Sequence, residues 1–268
     1  MLERAVVSRQ TNACALLSPA DYETLERAAA EYLAAQGALM GVMATLGGTI
    51  EKGLNRLPEG VKDGIVGKVR DTLDYAQRVS LSGMDNHAGR HASQGLYSLA
   101  AAASGGISGF LGLPAILVEL PVTTVTILRS IADVARSKGA DLSDPGVQAT
   151  CIETFAYGGP LDNDDDADLA FFAARVGAPE LAEIVARVAV RYAGAILPKV
   201  AVQAVPVTGA VLGAGLNWSY MRFYQAMASV LFTLRPIELK HDRDQVRSCF
   251  GSVVREFKRP QTNGWHPG

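Results

Sequence analysis

The stretch SGGISGFLGLPAILVELPVTTVTILRSIADVARSKG, residues 104–139, decides how this chain folds. Four glycines precede Pro114, and Pro121 follows seven residues later in the same apolar run. A single helix through all of them would cost about 1 kcal/mol per glycine and about 3 kcal/mol per interior proline. We therefore predict a helix that ends near Ser104, a glycine turn, a short apolar segment, and a new helix from about Pro121. That new helix places Arg129, Asp133 and Arg136 on one face, which is typical of a packed or interfacial helix.

The rest of the chain contains residues typical of helix starts and ends. Apolar and polar residues do not alternate over any long stretch, as they would in a β-strand. Ser18 is a candidate N-cap before Pro19, with Asp21 completing a start resembling a capping box and Gly37 as the expected stop. Ser143 or Asp144 caps a second start at Pro145. We predict an all-α single domain of about nine or ten helices with a Gly/Ala-rich apolar central helical hairpin. Further helices are expected at 58–80, 180–204, 207–234 and 237–257. We divide the chain into an N-terminal helical segment 1–83 that packs on the core, a helical core 84–258 and a flexible tail 259–268.

Three stretches lack charged residues: Tyr32–Ile50, Ala92–Val118 and Val200–Met221. Each is near the length of about 20 residues that spans a bilayer. Glycines and prolines interrupt them, and small residues suit close helix contacts in lipid or in a soluble core. The pattern favours a water-soluble helical body, ahead of peripheral or partly inserted membrane association and ahead of a multispan topology.

The net charge of −2 argues against a nucleic-acid partner. Charge is uneven, however: residues 141–183 hold ten acids and one base, and residues 222–259 hold eight bases and four acids. The basic tail could meet an anionic membrane, the acidic stretch of another chain, or water.

Cys14, Cys151 and Cys249 are widely spaced and form no C-x-x-C pair, so neither a disulfide framework nor structural zinc is expected. The N-terminus lacks an apolar core long enough for a signal peptide. We expect a reducing compartment, with the protein either in the cytoplasm or peripheral on the inner face of the cytoplasmic membrane.

Three motifs resemble known cofactor- or metal-binding sites, but each lacks a feature that such a site requires. TGAVLGAGLN, residues 208–217, has the glycines of a dinucleotide loop, but too little chain follows it for a parallel sheet. The acidic run at 162–168 lacks the glycine and glutamate of a calcium loop, and His87 and His91 lack a third zinc ligand. We therefore expect no catalytic residues, no cofactor and no metal.

Glu119 is a carboxylate inside an apolar run. It either caps the next helix or is buried with a partner, for which Arg129 is a candidate, with Asp133 one turn further on.

The order and spacing of these segments resemble the EcsC family. The resemblance runs from about Met84 to Glu238, through GGISGFLGLPAILVELPVTTVTILRSIADVARSKGADLSDPGVQATCIETFAYGG, DDDADLAFFAARVG and LPKVAVQAVPVTGAVLGAGLNWSYMRFYQAMASVLFTLRPIE. It implies a bacterial protein, membrane association and a link to transport or secretion, since the family is named for a gene beside an ABC transporter. It implies no established reaction.

The leading hypothesis is a non-enzymatic, membrane-associated accessory protein that contacts membrane or lipid, and a membrane-protein partner is compatible with it. The alternative is a soluble carrier that holds a lipid or other apolar ligand between glycine-lined helices, with Glu119, Arg129 and Asn217 orienting its polar end. A hydrolase of unknown type comes third. The candidate ligand or membrane region comprises Gly105, Gly109, Gly112, Pro114, Glu119, Arg129, Asp133, Pro206, Gly209, Gly213 and Asn217.

Overall fold

A computed structural model describes residues 14–55, 57, 59–80, 84, 92–111, 113–157, 181–203 and 208–258. Over these residues the chain forms eight α-helices, a short 3-10 turn and no strand, which confirms the all-α single domain. The helices are α1 (Pro19–Leu54), α2 (Glu59–Ser80), α3 (Gln94–Leu111), α4 (Leu113–Ser137), α5 (Pro145–Glu153), α6 (Leu181–Gln203), α7 (Thr208–Lys240) and α8 (Arg243–Lys258), with the 3-10 turn at Thr154–Ala156.

The predicted helix starts are confirmed at α1 and α5. The Ser18 hydroxyl accepts from the Asp21 amide at 3.1 Å and donates to the Asp21 carboxylate at 2.8 Å. Asp144 caps α5 by accepting from the Gly146 amide at 2.7 Å, and Pro145 occupies the first helical position. These starts are local, because the capping side chain and the amide it satisfies are two or three residues apart.

The predicted stop of α1 at Gly37 is wrong, since the helix continues to Leu54. Its extension packs along α7 and crosses α6 where Gly53 meets the backbone of Ala201. A Cβ at Gly53 would overlap the Ala201 carbonyl. Glycines lower the stability of an isolated helix, and the packing of α1 against α6 and α7 compensates for this loss.

The predicted division of residues 104–139 is also wrong. α3 passes through Ser104 to Leu111, and α4 begins at Leu113, eight residues before Pro121. Pro121 lies inside α4 and leaves the carbonyl of residue 117 without its helical donor. α4 tolerates this loss because it packs against α2, α3 and α7. The two helices pack against each other as the predicted apolar hairpin.

The long helix α7 lies at the centre of the fold, where it contacts α1, α3, α4, α6 and α8. It was predicted to end at Leu234 but runs through Pro236 to Lys240. Its buried aromatic side chains pack against residues of α6 and the 3-10 turn, with ring centroids of Phe155 and Tyr224 5.2 Å apart and those of Phe155 and Tyr192 4.7 Å apart.

The sulfur atoms of Cys14 and Cys249 form a disulfide that joins the residues before α1 to α8. The expectation of no disulfide is therefore wrong. The two cysteines are 235 positions apart in sequence, so no spacing rule relates them, and only the packing of α8 on α1 brings them together. Cys151 is a free, buried thiol.

The basic tail meets the acidic stretch of its own chain, an arrangement that the sequence alternatives did not include. Arg247 is buried and donates to Glu153 at 2.6 Å and to Glu238 at 2.8 Å, while Arg243 reaches Glu153 at 2.9 Å. Arg235 binds the Asp144 carboxylate at 2.8 Å. These pairs fix α8 and the end of α7 to α5.

The acidic run 162–168, His87 and His91 lie outside the described residues.

Candidate functional site

The three charge-free runs of the sequence lie side by side in the fold. Most of their helical residues belong to α1, α3 and α7, while 113–118 begin α4 and 200–203 end α6. α7 packs between α1 and α3. On α7, Ala210 and Ala214 face Gly106 of α3. Leu212 and Leu216 line the opposite side, toward α1. The outer side of α7 lies between these two contacts.

That outer side is apolar and open to solvent. Val211 is 78% exposed and Trp218 is 44% exposed. On α3, Leu96, Leu99 and Ile107 are more than 60% exposed and recur at the spacing of one helix face. We call the exposed residues of the three helices the apolar face: Ala38, Gly41, Ala44 and Thr45 of α1, Leu96, Leu99, Ala103 and Ile107 of α3, and Val211, Gly215 and Trp218 of α7.

A groove runs along the apolar face between α1 and α7. It consists of two adjoining depressions of about 420 Å³ and about 460 Å³ that share Ala38, Val42 and Ser219. The groove exists because Gly41 of α1 and Gly215 of α7 carry no side chain to fill it. We call it the α1–α7 groove.

Beneath the apolar face lies a buried polar cluster centred on Glu119 of α4. Lys199 of α6 donates to both carboxylate oxygens, at 3.0 Å and 3.2 Å. Asn217 of α7 donates to Oε1 at 2.9 Å, Ser104 of α3 donates at 3.3 Å, and the Thr123 hydroxyl also donates to it. Four helices therefore meet at one carboxylate.

Asn217 occupies the closest crossing of α3 and α7. Its Nδ2 also donates to the carbonyl of Ala101 at 2.8 Å. A Cβ at Gly105 would overlap both the Gly213 carbonyl and the Asn217 amide, so the crossing requires glycine at position 105. Within the part of the chain that the structure describes, Asn217 Oδ1 has no hydrogen-bond partner.

The electrostatics of the cluster keep Glu119 ionised. Burial alone would raise the pKa of Glu119, but the Lys199 charge and the hydrogen bonds from Thr123, Asn217 and Lys199 outweigh it. The pKa of Glu119 therefore lies below its ordinary value. A carboxylate held in this way is a structural anion, because a general acid or base needs a pKa near the working pH.

The model of the EcsC protein family matches residues 3–237. The chain belongs to the EcsC family. No curated protein and no solved structure matches it significantly. The matched range begins well before residue 84, so it includes the part of this EcsC-family chain that sequence patterns did not connect to the family.

The fold of this EcsC-family chain brings together four residues of the predicted region: Gly105, Gly213, Asn217 and Glu119. The predicted pairing of Glu119 with Arg129 is wrong, since Lys199 is its ion partner. Ten residues along α4 separate Glu119 from Arg129, which corresponds to about 15 Å.

Asp133 lies further along α4 and belongs to a different contact. It accepts from the Ser93 amide at 2.6 Å and from Arg136, and so ties the start of α3 to the end of α4. Of the remaining predicted residues, Gly109 lies inside α3, Pro114 in the first turn of α4 and Gly209 in the first turn of α7. Gly112 and Pro206 lie outside the described residues.

Sequence reasoning missed Lys199, although the sequence carried a signal for it. Lys199 is the only charged residue between Tyr192 and Met221, as Glu119 is between Ala92 and Leu128. Buried charges are stable only when paired. Two isolated opposite charges inside apolar runs therefore indicate a pair.

Among the described helices, α1 is long and apolar enough to cross a membrane by length and composition. Its most apolar 18-residue window has a mean hydropathy of 1.4, and 22% of that window is buried. Core helices of soluble proteins and signal sequences can satisfy the same criterion.

Proposed function

We propose that this EcsC-family chain is a non-enzymatic accessory protein that associates with a membrane through the apolar face. The observation that carries the proposal is the exposure of apolar side chains on three neighbouring helices whose exposed runs contain no charge. Contiguous exposed apolar surface on a folded protein marks a site of contact with another protein or a membrane.

The molecule is asymmetric, which supports a single membrane-facing side. α2, which packs on α4 and α6, exposes Lys68, Arg70 and Asp71. The α3–α4 hairpin exposes Ile107, Val118 and Val122 instead. One polar side and one apolar side are typical of proteins that lie at a membrane interface. The proposed location is the cytoplasm or the inner face of the cytoplasmic membrane. The family resemblance suggests a link to transport or secretion.

Vesicle flotation tests this function. We expect the purified full chain to float with phospholipid vesicles, and the Leu96→Glu/Ile107→Glu variant to lose about tenfold in vesicle partitioning, because each change places a charge on the apolar face. Val66→Glu is the matched control, since Val66 is an exposed apolar residue on α2. It should float like the parent protein.

Equal flotation of the parent and the Leu96→Glu/Ile107→Glu variant would remove the apolar face from the mechanism. Failure of the parent to float would reject membrane association. Circular dichroism of each variant establishes that the helices are retained.

A soluble lipid carrier is the second candidate, and the α1–α7 groove favours it. The groove has the size of small-ligand sites and is lined mostly by apolar residues. It is open along its length, whereas a carrier that sequesters its cargo encloses it. Native mass spectrometry of protein made without detergent separates the two roles: a stoichiometric lipid on protein that does not float supports the carrier.

A further inference from the structure

The α1–α7 groove has a polar end and an apolar end. Glu31, Arg222 and Trp218 line the polar end. Leu46 and Val211 line the other end. Small residues lie between the two ends: Ala38, Gly41, Gly215 and Ser219. This order matches an amphipathic molecule with one charged end.

The length of the groove matches a lipid chain with its headgroup. Residues 31 and 46 mark its ends on α1, and fifteen helical rises correspond to about 22 Å. An acyl chain of one leaflet covers about half of the bilayer's core of roughly 30 Å. The remaining length accommodates a headgroup near Arg222.

The two charges at the polar end are available to a ligand. Glu31 forms no ion pair with any residue of the described ranges, and Arg222 reaches only the Gln94 side chain there, at 3.4 Å. The two residues line the same depression without pairing with each other. One acid and one base so placed complement a headgroup that carries both signs.

We propose that the α1–α7 groove binds one phospholipid with a zwitterionic headgroup made of a phosphate and an ammonium group. One of its two acyl chains lies past Gly41 and Gly215, the phosphate contacts the Arg222 guanidinium, and the ammonium contacts the Glu31 carboxylate. A purely anionic headgroup would place its charge beside Glu31, and the groove therefore discriminates against it. This inference deepens the proposed function, on which it rests: it names the lipid that the apolar face holds when it meets the membrane.

Filling the groove with larger side chains tests where the acyl chain of the lipid lies. A Cβ at Gly41 or Gly215 meets nothing within 4 Å, so leucine at either position enters the groove without a backbone clash. Gly41→Leu/Gly215→Leu should lower binding of phosphatidylethanolamine at least tenfold. Gly47→Leu is the matched control, because Gly47 is exposed on α1, has equally open space and does not line the groove.

Exchanging the charges tests the headgroup. Glu31→Gln should weaken phosphatidylethanolamine binding about two- to fivefold, the range of an exposed ion pair, and strengthen phosphatidylglycerol binding. Arg222→Gln should weaken both lipids. The opposite responses of the two lipids to Glu31→Gln distinguish headgroup recognition from a general loss of stability.

Two readouts measure these effects on the full chain. Native mass spectrometry of delipidated protein with each lipid gives stoichiometry and relative affinity. Quenching of Trp218 by phosphatidylethanolamine with brominated chains places the lipid in the groove; the Trp265→Phe background leaves Trp218 as the sole tryptophan.

We expect one phosphatidylethanolamine per chain, preferred over phosphatidylglycerol, with quenching abolished by Gly41→Leu/Gly215→Leu and retained by Gly47→Leu. Flotation that persists while quenching and lipid adducts are unchanged in the groove-filled variant overturns the groove and leaves the proposed function standing. A stoichiometric adduct on protein that does not float rejects membrane association and keeps the groove. Equal affinity for both headgroups overturns the assignment of Glu31 and Arg222.

Discussion

At the scale of single residues, the Glu119–Lys199 pair is the most consequential contact in the molecule. Both side chains are buried, and their ion pair joins α4 to α6. Lys199→Met would leave the Glu119 charge buried without its cation, so we expect a loss of about 3–5 kcal/mol in the free energy of unfolding. Glu119→Gln should destabilise the protein as well, because Lys199 then has no anion.

The double variant Glu119→Gln/Lys199→Met provides the control for this prediction. It buries no unpaired charge, so its loss in chemical denaturation should be smaller than the sum of the two single losses. Strict additivity of the single losses would show that the two residues do not interact.

The same pair predicts a pH dependence. The pKa of Glu119 in the folded protein lies below the ordinary value of 4.5. The stability it contributes is therefore present above pH 4.5 and is lost as the pH falls through the folded pKa. The difference in free energy of unfolding between the parent and Glu119→Gln should shrink below pH 4.5 in an acid titration of denaturation midpoints. A difference that stays constant to pH 3 would contradict a lowered pKa.

At the scale of helices, the crossing of α3 and α7 depends on one glycine. Gly105→Ala would drive a Cβ into the Gly213 carbonyl, and backbone cannot move aside as a flexible side chain can. We expect a large destabilisation together with loss of the Asn217–Glu119 hydrogen bond. Gly106→Ala is the matched control: its Cβ would lie 3.6 Å from the Ala210 carbonyl, an ordinary contact, and alanine favours the helix by up to about 1 kcal/mol. Thermal melting should therefore rank Gly106→Ala at or above the parent and Gly105→Ala well below it.

The contrast between helix starts and helix ends shows what the sequence could predict. Ser18 and Asp144 were recognisable because each cap satisfies an amide two or three residues away. Gly37 and Pro121 were misread as breaks because the contacts that carry α1 and α4 past them come from distant helices. The sequence around a single residue does not reveal the stabilisation that contacts with distant helices provide.

The candidate site, too, could be predicted only in part from the sequence. The charge-free runs and the isolated Glu119 were visible in the sequence, and Asn217 was selected together with Glu119 as a group for orienting a ligand. The buried cation was missed, although Lys199 is as isolated in its apolar run as Glu119 is, because the two residues are 80 positions apart and only the fold pairs them. The exposure of the apolar face was not visible either, because exposed and buried apolar runs have the same composition.

At the scale of the whole molecule, contacts among the described residues join α1, α5, α7 and α8. Glu153 of the acidic stretch pairs with Arg243 and Arg247 of the basic tail, so the tail offers less free positive charge to a membrane than its composition suggests. The proposed membrane contact therefore depends on the apolar face more than on the basic tail. The start of α1 is also tied to the end of α7, where Lys240 reaches Asp21 at 3.2 Å.

The Cys14–Cys249 disulfide adds a covalent link between the residues before α1 and α8, and it gives the last prediction. It constrains nearly the whole unfolded chain, so Cys249→Ser should lower the free energy of unfolding by about 2–5 kcal/mol in oxidised protein and leave reduced protein little changed. Cys151→Ala is the control, because Cys151 is buried and takes no part in the bond; burial raises its thiol pKa to about 12, so it should resist alkylation until the protein unfolds. Thiol trapping in intact cells followed by mass spectrometry then tests the predicted cytoplasmic location. A reducing cytosol keeps cysteines as thiols, so a bridge found fully formed in cells would contradict that location, and trapped thiols at both Cys14 and Cys249 would support it.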